Sequence, residues 1–155
     1  MVMTRRATLG AALGGCAAGL LPGLDPARPA AATAMAGAPM NIQFTFAGHV
    51  FTATLHDSPT ARDLASMLPL HLVIDDYATN EKIAYLPRKL DETGSGPFDR
   101  EAPGDLAYYA PWGNLVFYHA GYRYSRGLIR LGRLEGGVAP LLTRGSFPLS
   151  AKAVG

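Results

Sequence analysis

Residues 104–119 read Gly-Asp-Leu-Ala-Tyr-Tyr-Ala-Pro-Trp-Gly-Asn-Leu-Val-Phe-Tyr-His, and this stretch decides the fold class. Two apolar runs that contain aromatic residues flank a Pro-Trp-Gly-Asn turn. Such a pattern is typical of two paired β-strands that pack into a hydrophobic interior. The stretch therefore predicts the core hairpin of a β domain.

Further strands are predicted on both sides of this hairpin from the alternation of apolar and polar residues. Residues 41–47 and 51–56 alternate in this way, with a tight turn at Gly48-His49 between them, and predict an N-terminal hairpin. Residues 70–75 and 127–134 show the same period of two, which is the period of a strand with one buried face. Strands therefore account for most of the predicted regular structure.

One short helix is predicted at about residues 59–68. Ser58 is placed to cap it, and Pro59 suits the first helical position, where its missing N–H costs nothing. Pro69 ends it, because the residue before a proline is displaced from helical geometry. Residues 138–142 predict a short helix or a final edge strand. The fold class is then mainly β, a barrel or sandwich with one short helix at its side.

The first 38 residues differ in character from the rest of the 155-residue chain. They contain two adjacent arginines, then an Ala/Gly/Leu stretch and a Pro/Ala-rich stretch, and predict a targeting segment. Residues 39–150 are predicted to form one domain, since this length suits a single hydrophobic core. Within that domain, residues 91–104 form a polar loop long enough to suggest a lid or a mobile segment.

The targeting segment resembles a twin-arginine export signal in Thr4-Arg5-Arg6-Ala7-Thr8-Leu9. Residues 30–36 offer small-x-small sites for cleavage, whereas Leu13-Gly14-Gly15-Cys16 resembles a lipobox that would make Cys16 a lipid anchor. Cleavage is favoured because the apolar run before Cys16 is short. Residues 7–21 are too few and too weakly apolar to span a bilayer. Both routes predict a domain outside the cytoplasm, periplasmic or secreted.

The charge balance argues against a nucleic-acid binder. The chain has 14 basic and 12 acidic residues, and residues 1–34 hold three of the basic and one of the acidic, which leaves 11 of each. A formally neutral domain lacks the basic surface that neutralises phosphates.

The sequence also carries no motif for a cofactor or a metal. Cys16 is the only cysteine, so residues 39–150 offer no disulfide and no thiol nucleophile. No two histidines have a recognised metal spacing, and both the phosphate-binding glycine loop and the Gly-x-Ser-x-Gly elbow are missing. We therefore expect neither a metal nor a cofactor.

Four sets of motifs occur in a fixed order along the chain. They are Thr52-Ala53-Thr54-Leu55 with Ser58-Pro59-Thr60-Ala61 and Leu68-Pro69-Leu70; Asn80-Glu81-Lys82; Leu86-Pro87 with Leu90; and Gly104-Asp105-Leu106 with Leu115-Val116-Phe117-Tyr118 and Tyr124 to Gly132. In this order and spacing the chain resembles the bacterial cyclophilin-like domain family, small proteins of mostly unassigned function. The resemblance covers nearly all of residues 40–143. It implies a closed β-barrel similar to that of cyclophilins, which are peptidyl-prolyl isomerases.

Six residues are candidates for a ligand site: Trp112, Tyr118, Arg123, Arg126, Glu81 and Lys82. Aromatic residues in strands are core material first, and Phe117 is assigned to the core. Trp112 lies in a turn and is the better candidate for an exposed platform, with Arg123 or Arg126 as a polar partner. Glu81 and Lys82 belong to a motif and predict either a fixed ion pair at a barrel mouth or a ligand contact, with the ion pair favoured.

Three functions remain open at the level of sequence. The first is an exported binding domain with a groove for a peptide or small molecule and no catalysis. The second is a prolyl isomerase for exported proteins, with Arg123 or Arg126 polarising the amide, although no residue set matches the cyclophilin catalytic signature and a fold does not carry a function. The third is a structural or interaction module held at a membrane by a lipid on Cys16.

Overall fold

The structure, a computed structural model, describes residues 40–155. The targeting segment assigned to residues 1–38, including Cys16, lies outside the described residues. Within residues 40–155, no helix is long and apolar enough to cross a membrane.

Eight antiparallel strands and one short helix make up the fold. The strands are β1 (Met40–Phe46), β2 (His49–Leu55), β3 (Leu70–Tyr77), β4 (Glu81–Tyr85), β5 (Asp105–Tyr109), β6 (Asn114–Tyr118), β7 (Leu128–Leu134) and β8 (Phe147–Val154). The helix α1 spans Pro59–Ser66, and a 3-10 helix spans Ala139–Leu142. The strands close into a barrel in the order β1-β2-β7-β5-β6-β4-β3-β8. The prediction of a closed barrel with one short helix is confirmed.

The N-terminal hairpin and the helix begin where the sequence predicts them, with small differences in bounds. The turn falls at Ala47 and Gly48, whose φ angles are 49° and 78°, so His49 already belongs to β2 and the predicted Gly48-His49 turn is wrong by one residue. Positive φ at both turn positions matches the twist of a two-residue hairpin and explains the glycine. In α1, the Ser58 side chain accepts a hydrogen bond from Ala61 N at 3.2 Å, as its predicted capping role requires.

The core hairpin predicted at residues 104–119 is formed by β5 and β6. Leu106, Tyr108, Leu115 and Phe117 point into the barrel and are fully buried. The Phe117 ring meets the Phe44 ring edge to face at 5.1 Å between centroids. The assignment of Phe117 to the core is therefore confirmed.

The strand β8, which closes the barrel, is not predicted by the sequence pattern. It lies between β1 and β3, and only Leu149 and Ala151 of its eight residues are buried. Pro148 counts against a strand, and small residues replace the large apolar ones of a typical strand pattern. Pairing with two neighbours therefore makes this segment a strand. The stretch at 138–142, where a helix or an edge strand was expected, is largely the 3-10 helix.

The barrel is joined most narrowly between β2 and β7, where the strands share three residue pairs. At this seam a Cβ on Gly132 would lie 2.0 Å from the Thr54 carbonyl oxygen, so only glycine allows the two backbones to approach. The register between β5 and β7 shifts between Leu106 and Ala107, which is a β-bulge next to the seam.

Candidate functional site

Strands β4, β5, β6 and β7 bury apolar side chains on both faces. Their inward residues fill the barrel, and their outward residues form a second buried cluster outside it. That outer cluster consists of Ile83, Ala107, Val116, Tyr118 and Leu128, with Phe98, Tyr109, Tyr122 and Tyr124 packed against it. Phe98 comes from the connection between β4 and β5, and Tyr122 and Tyr124 come from the connection between β6 and β7. The outer face of an antiparallel sheet is commonly exposed to solvent. This side of the barrel differs, because its outer face is apolar and covered by the two connections.

A cavity of about 220 Å³, called here the aromatic cavity, lies on this face. Its lining comprises Tyr77, Tyr109, Trp112 and Tyr118; Glu81, Asn114 and Ser125; and Ile83, Val116 and Leu128. Four aromatic rings, three polar side chains and an apolar floor therefore meet at one concave site. Such a combination of apolar walls with a few polar groups is typical of small-ligand sites.

Trp112 is the central aromatic residue of the cavity. It lies in the turn between β5 and β6, and 47% of its surface is exposed. Its ring packs edge to face against Tyr77 at 5.3 Å and against Tyr109 at 5.5 Å between centroids. Tyr77, at the end of β3, is itself 42% exposed. The two neighbouring tyrosines hold the Trp112 ring in place while leaving much of it accessible to a ligand.

Asn114 contributes a buried acceptor to the cavity. The residue is 1% exposed, and its Nδ2 donates to the carbonyl oxygen of Leu115 at 3.0 Å. Because the Leu115 carbonyl oxygen can only accept, the Asn114 amide nitrogen must make this contact. The Asn114 side-chain oxygen takes no part in it. Asn114 Oδ1 has no hydrogen-bond partner within residues 40–155. A buried acceptor without a partner is costly and needs an explanation.

Glu81 supplies the charge of the cavity. It stands opposite Tyr118 across the β4–β6 ladder. Burial raises the pKa of the Glu81 carboxyl above its ordinary value, and the neighbouring Tyr118 hydroxyl offsets part of that rise. Burial and the nearby Glu81 carboxylate also raise the pKa of Tyr118, so its phenol stays protonated. Glu81 is thus a carboxylate held at an energetic cost beside a hydroxyl donor.

The Tyr118 ring is fixed from the side of the β6–β7 connection. Tyr122 stacks on it, with ring centroids 3.5 Å apart and planes 4° from parallel. The Tyr122 hydroxyl donates to Asp105 Oδ2 at 2.7 Å, and Asp105 is fully buried near Arg130 and Arg133. Burial and the hydrogen bond to Asp105 raise the pKa of Tyr122. A rigid stack therefore positions Tyr118 at the cavity.

The structure divides the six sequence candidates into three groups. Trp112, Tyr118 and Glu81 meet in the aromatic cavity. Arg123 and Arg126 are exposed in the β6–β7 connection, and neither lines the cavity. Lys82 points to the other side of its strand, because neighbouring residues of a strand face opposite ways.

Lys82 is fully buried inside one end of the barrel. Its Nζ donates to Asp76 Oδ1 at 2.7 Å and to the Gly145 carbonyl oxygen at 3.4 Å. The same atom lies 5.6 Å from the ring centroid of Phe46 and 5.9 Å from that of Phe147. The ion pair expected from the Glu81-Lys82 motif does not join these two residues: the acidic partner of Lys82 is Asp76 on β3, while Glu81 lines the cavity.

Four aromatic or polar residues of the cavity had no place among the sequence candidates: Tyr77, Tyr109, Asn114 and Ser125. A signal for this face exists in β6, where Val116 and Tyr118 alternate with the core residues Leu115 and Phe117 and are apolar or aromatic as well. A strand without a polar face predicts that its outer side is covered too. Tyr108, next to Tyr109 on β5, is fully buried inside the barrel, where its hydroxyl accepts from Leu90 N at 3.1 Å.

No group of three or more His, Cys, Asp or Glu side chains within residues 40–155 is arranged to hold a metal ion. The side chains that line the aromatic cavity offer hydrogen bonding, charge and aromatic contact.

Comparison with known proteins identifies relatives of this barrel. A family model described as the cyclophilin-like family matches residues 44–151. The fold is similar to that of the hypothetical protein AF2241 from Archaeoglobus fulgidus, determined in solution, with a TM-score of 0.58 and 16% sequence identity. The similarity covers 75% of this chain and 95% of that chain, and at this identity it concerns the fold alone. A comparison with curated proteins gives no match.

Proposed function

We propose that this chain, which belongs to the cyclophilin-like family, is an exported domain that binds a small molecule or a peptide side chain in the aromatic cavity without catalysis. The observation that carries the proposal is that Trp112, whose ring is exposed, and Asn114, whose buried side-chain oxygen has no partner, line one cavity. The apolar body of a ligand would cover the Trp112 ring, and a hydrogen-bond donor on the same ligand would satisfy the Asn114 oxygen. An unpaired buried acceptor costs about 1–3 kcal/mol, so a donor there would add to affinity.

The charge of the cavity favours binding over prolyl isomerisation. In the isomerase alternative an arginine in an apolar groove stabilises the twisted amide. The side chains from residues 40–155 that line the aromatic cavity include one charged group, Glu81, and no arginine. A carboxylate would repel the partial negative charge of an amide oxygen. That neither Arg123 nor Arg126 is among these lining residues therefore supports a binding role.

Export is the second part of the proposal and rests on the sequence of the first 38 residues. Thr4 to Leu9 supplies the twin-arginine pattern, and residues 30–36 supply the cleavage sites. Mass spectrometry of the mature N-terminus after expression in a bacterium tests this directly. A start near Met35 supports a released periplasmic or secreted domain, whereas an acylated Cys16 would replace it with a membrane-held module.

Two tyrosines of similar exposure provide a matched test of the cavity. Tyr77 lines it and is 42% exposed, while Tyr85 is 54% exposed and lies outside it. Binding of hexylamine, hexanoate, benzyl alcohol and succinyl-Ala-Ala-Pro-Phe-p-nitroanilide to the full chain would be measured by saturation-transfer NMR and calorimetry. We expect Tyr77→Ala to weaken a bound probe by roughly 5-fold or more, the value of one aromatic contact, and Tyr85→Ala to leave it unchanged. Equal effects of the two changes would contradict a cavity site.

A protease-coupled assay on the same prolyl peptide tests the absence of catalysis. We expect the isomerisation rate to equal the uncatalysed rate at micromolar protein. An acceleration that disappears in Arg123→Ala or Arg126→Ala would establish the isomerase alternative instead.

A further inference from the structure

The electrostatics of the aromatic cavity select the charge of its ligand. Glu81 is the one charged side chain that lines the cavity from within residues 40–155. Around it, Tyr77, Tyr109 and Trp112 present aromatic rings, whose negative faces attract cations and oppose anions. Burial disfavours the charged form of Glu81, and a bound cation would relieve that penalty. These features all favour a cationic ligand.

The strand register places the two acceptors at opposite ends of the cavity. Glu81 pairs with Tyr118, and Asn114 lies four residues before Tyr118 on the same strand. At about 3.3 Å per residue, the backbones at the two ends are roughly 13 Å apart. Ile83 and Val116 form the apolar floor between them. A ligand that reaches both acceptors must therefore be elongated and apolar in its middle.

The size of the cavity limits the length of that ligand. A volume of about 220 Å³ is below the roughly 300 Å³ at which sites for drug-sized ligands begin. It corresponds to about seven water molecules, and hence to roughly seven non-hydrogen atoms of a tightly held chain. An extended five-carbon diamine has this number of non-hydrogen atoms and spans roughly 7.5 Å between its nitrogens, so it fits within the cavity.

We infer that the aromatic cavity binds a linear aliphatic amine of about this length, with its ammonium group at Glu81 and a second N–H or O–H donor at Asn114. The inference rests on the binding function proposed above and names its ligand class. The ammonium group pairs with the carboxylate and contacts the aromatic walls, the methylene chain lies over Ile83 and Val116, and the far donor satisfies the buried amide oxygen. No covalent step is involved.

The test compares four chain molecules of nearly equal size. They are 1,5-diaminopentane, 5-amino-1-pentanol, hexylamine and hexanoate, titrated into the full chain. Trp112 is the only tryptophan, so its fluorescence reports on the cavity, and calorimetry gives the affinity independently. We expect the first two to bind about 3- to 10-fold more tightly than hexylamine, because hexylamine leaves the Asn114 oxygen unsatisfied. Hexanoate should show no saturable binding.

Substitutions at the two ends separate their contributions. Glu81→Gln should weaken all three amines by roughly 10-fold or more, since it removes a charge-assisted contact. The matched control Glu92→Gln removes the same charge from an exposed loop residue outside the cavity and should leave the affinity unchanged. Asn114→Leu should abolish the preference for 1,5-diaminopentane over hexylamine while retaining hexylamine binding. Circular dichroism of each variant verifies that the barrel is intact.

The pH dependence identifies the acid at the binding end. The titratable groups that face Glu81 from neighbouring strands are the phenols of Tyr118 on β6 and Tyr77 on β3. The alkylammonium groups of the probes keep their charge between about pH 4 and pH 8, and Glu81 is the carboxyl group of the cavity. Amine affinity should therefore fall as the pH drops through the raised pKa of Glu81, and Glu81→Gln should remove this dependence.

The outcomes distinguish this inference from the binding function on which it rests. Binding of hexanoate or benzyl alcohol that Tyr77→Ala weakens, without binding of any amine, overturns the ligand class and leaves the cavity function standing. Amine binding that Glu81→Gln leaves intact also overturns the inference. Failure of every probe to bind in a Tyr77-dependent way overturns both proposals together.

Discussion

Replacing Asp76 with alanine should destabilise the barrel far more than replacing Lys82 with methionine. The Lys82 ammonium is fully buried, and Asp76 is the acidic group it touches, at 2.7 Å. Asp76→Ala leaves that ammonium between the rings of Phe46 and Phe147 with one long contact to the Gly145 carbonyl oxygen. Breaking a buried ion pair from one side typically costs about 3–5 kcal/mol in the free energy of unfolding.

Lys82→Met leaves the Asp76 carboxylate without Lys82, but Asp76 is better solvated than Lys82 is. The Asp76 side chain is 20% exposed. Its Oδ2 accepts a hydrogen bond from the Gly145 N–H at 2.7 Å and lies 3.5 Å from Arg144 Nε. Methionine fills nearly the same volume as lysine and packs well against aromatic rings. Lys82→Met should therefore cost less than about 2 kcal/mol, because buried pairs are often replaced by apolar side chains at little cost. The expected difference between the two variants is at least about 2 kcal/mol.

Urea denaturation at pH 7, followed by circular dichroism and Trp112 fluorescence, measures both costs. Asp75→Ala is the matched control, since Asp75 is the neighbouring carboxylate on the outer face of β3, and we expect it to cost less than about 0.5 kcal/mol. Equal destabilisation by Asp76→Ala and Lys82→Met, or an Asp76→Ala effect below about 1 kcal/mol, would refute the assignment of this pair as a buried structural contact.

The contact between Lys82 and Asp76 also predicts that the stability of the barrel depends on pH. Burial alone would raise the pKa of Asp76, but hydrogen bonds from Lys82 and Gly145 outweigh it and hold the pKa below its ordinary value. A carboxyl with a lowered folded-state pKa stabilises the fold above its unfolded pKa, and this stability is lost as the pH falls through the folded value. The difference in stability between the parent chain and Asp76→Ala should therefore shrink below about pH 4.

Three further changes test other parts of the barrel, each by urea denaturation. Tyr108→Phe should cost about 1–2 kcal/mol, because the buried Leu90 N–H loses its acceptor; an unchanged midpoint would mean that water replaces it. Gly132→Ala should cost about 2 kcal/mol or more, because the new methyl meets the Thr54 carbonyl oxygen, and a neutral result would contradict the tight seam. Arg123→Ala should stay within about 0.5 kcal/mol, as expected for an exposed side chain without a packing role.

The fold could be predicted from the sequence wherever local pattern and final burial agree. In β1 and β2, every second residue is both apolar and buried, and the helix has its cap and its proline at the expected positions. The strand β8 could not be predicted, because its residues have weak strand propensity and only the neighbouring β1 and β3 hold them extended. That is a tertiary effect which no local pattern in residues 147–154 encodes.

The candidate site could be predicted only in part. Trp112 was selected because a tryptophan in a turn is more exposed than one in a strand, and this exposure is observed. Tyr77 is separated from Trp112 by 35 positions, and only the barrel closure brings the two rings together. Arg123 and Arg126 flank Ser125, which lines the cavity, yet neither arginine is part of the lining. Sequence proximity identified the residue types but not the contacts between them.

The adjacent residues Glu81 and Lys82 show how one strand can serve stability and binding at once. Because β4 is buried on both faces, each charged side chain must find a partner on its own side. Lys82 pairs with Asp76 inside the barrel, at 2.7 Å. Glu81 has only a phenol beside it, and its raised pKa shows that the carboxylate is held against the preference of its surroundings. An ionisable group that burial disfavours on a cavity wall supports the binding function proposed for the aromatic cavity.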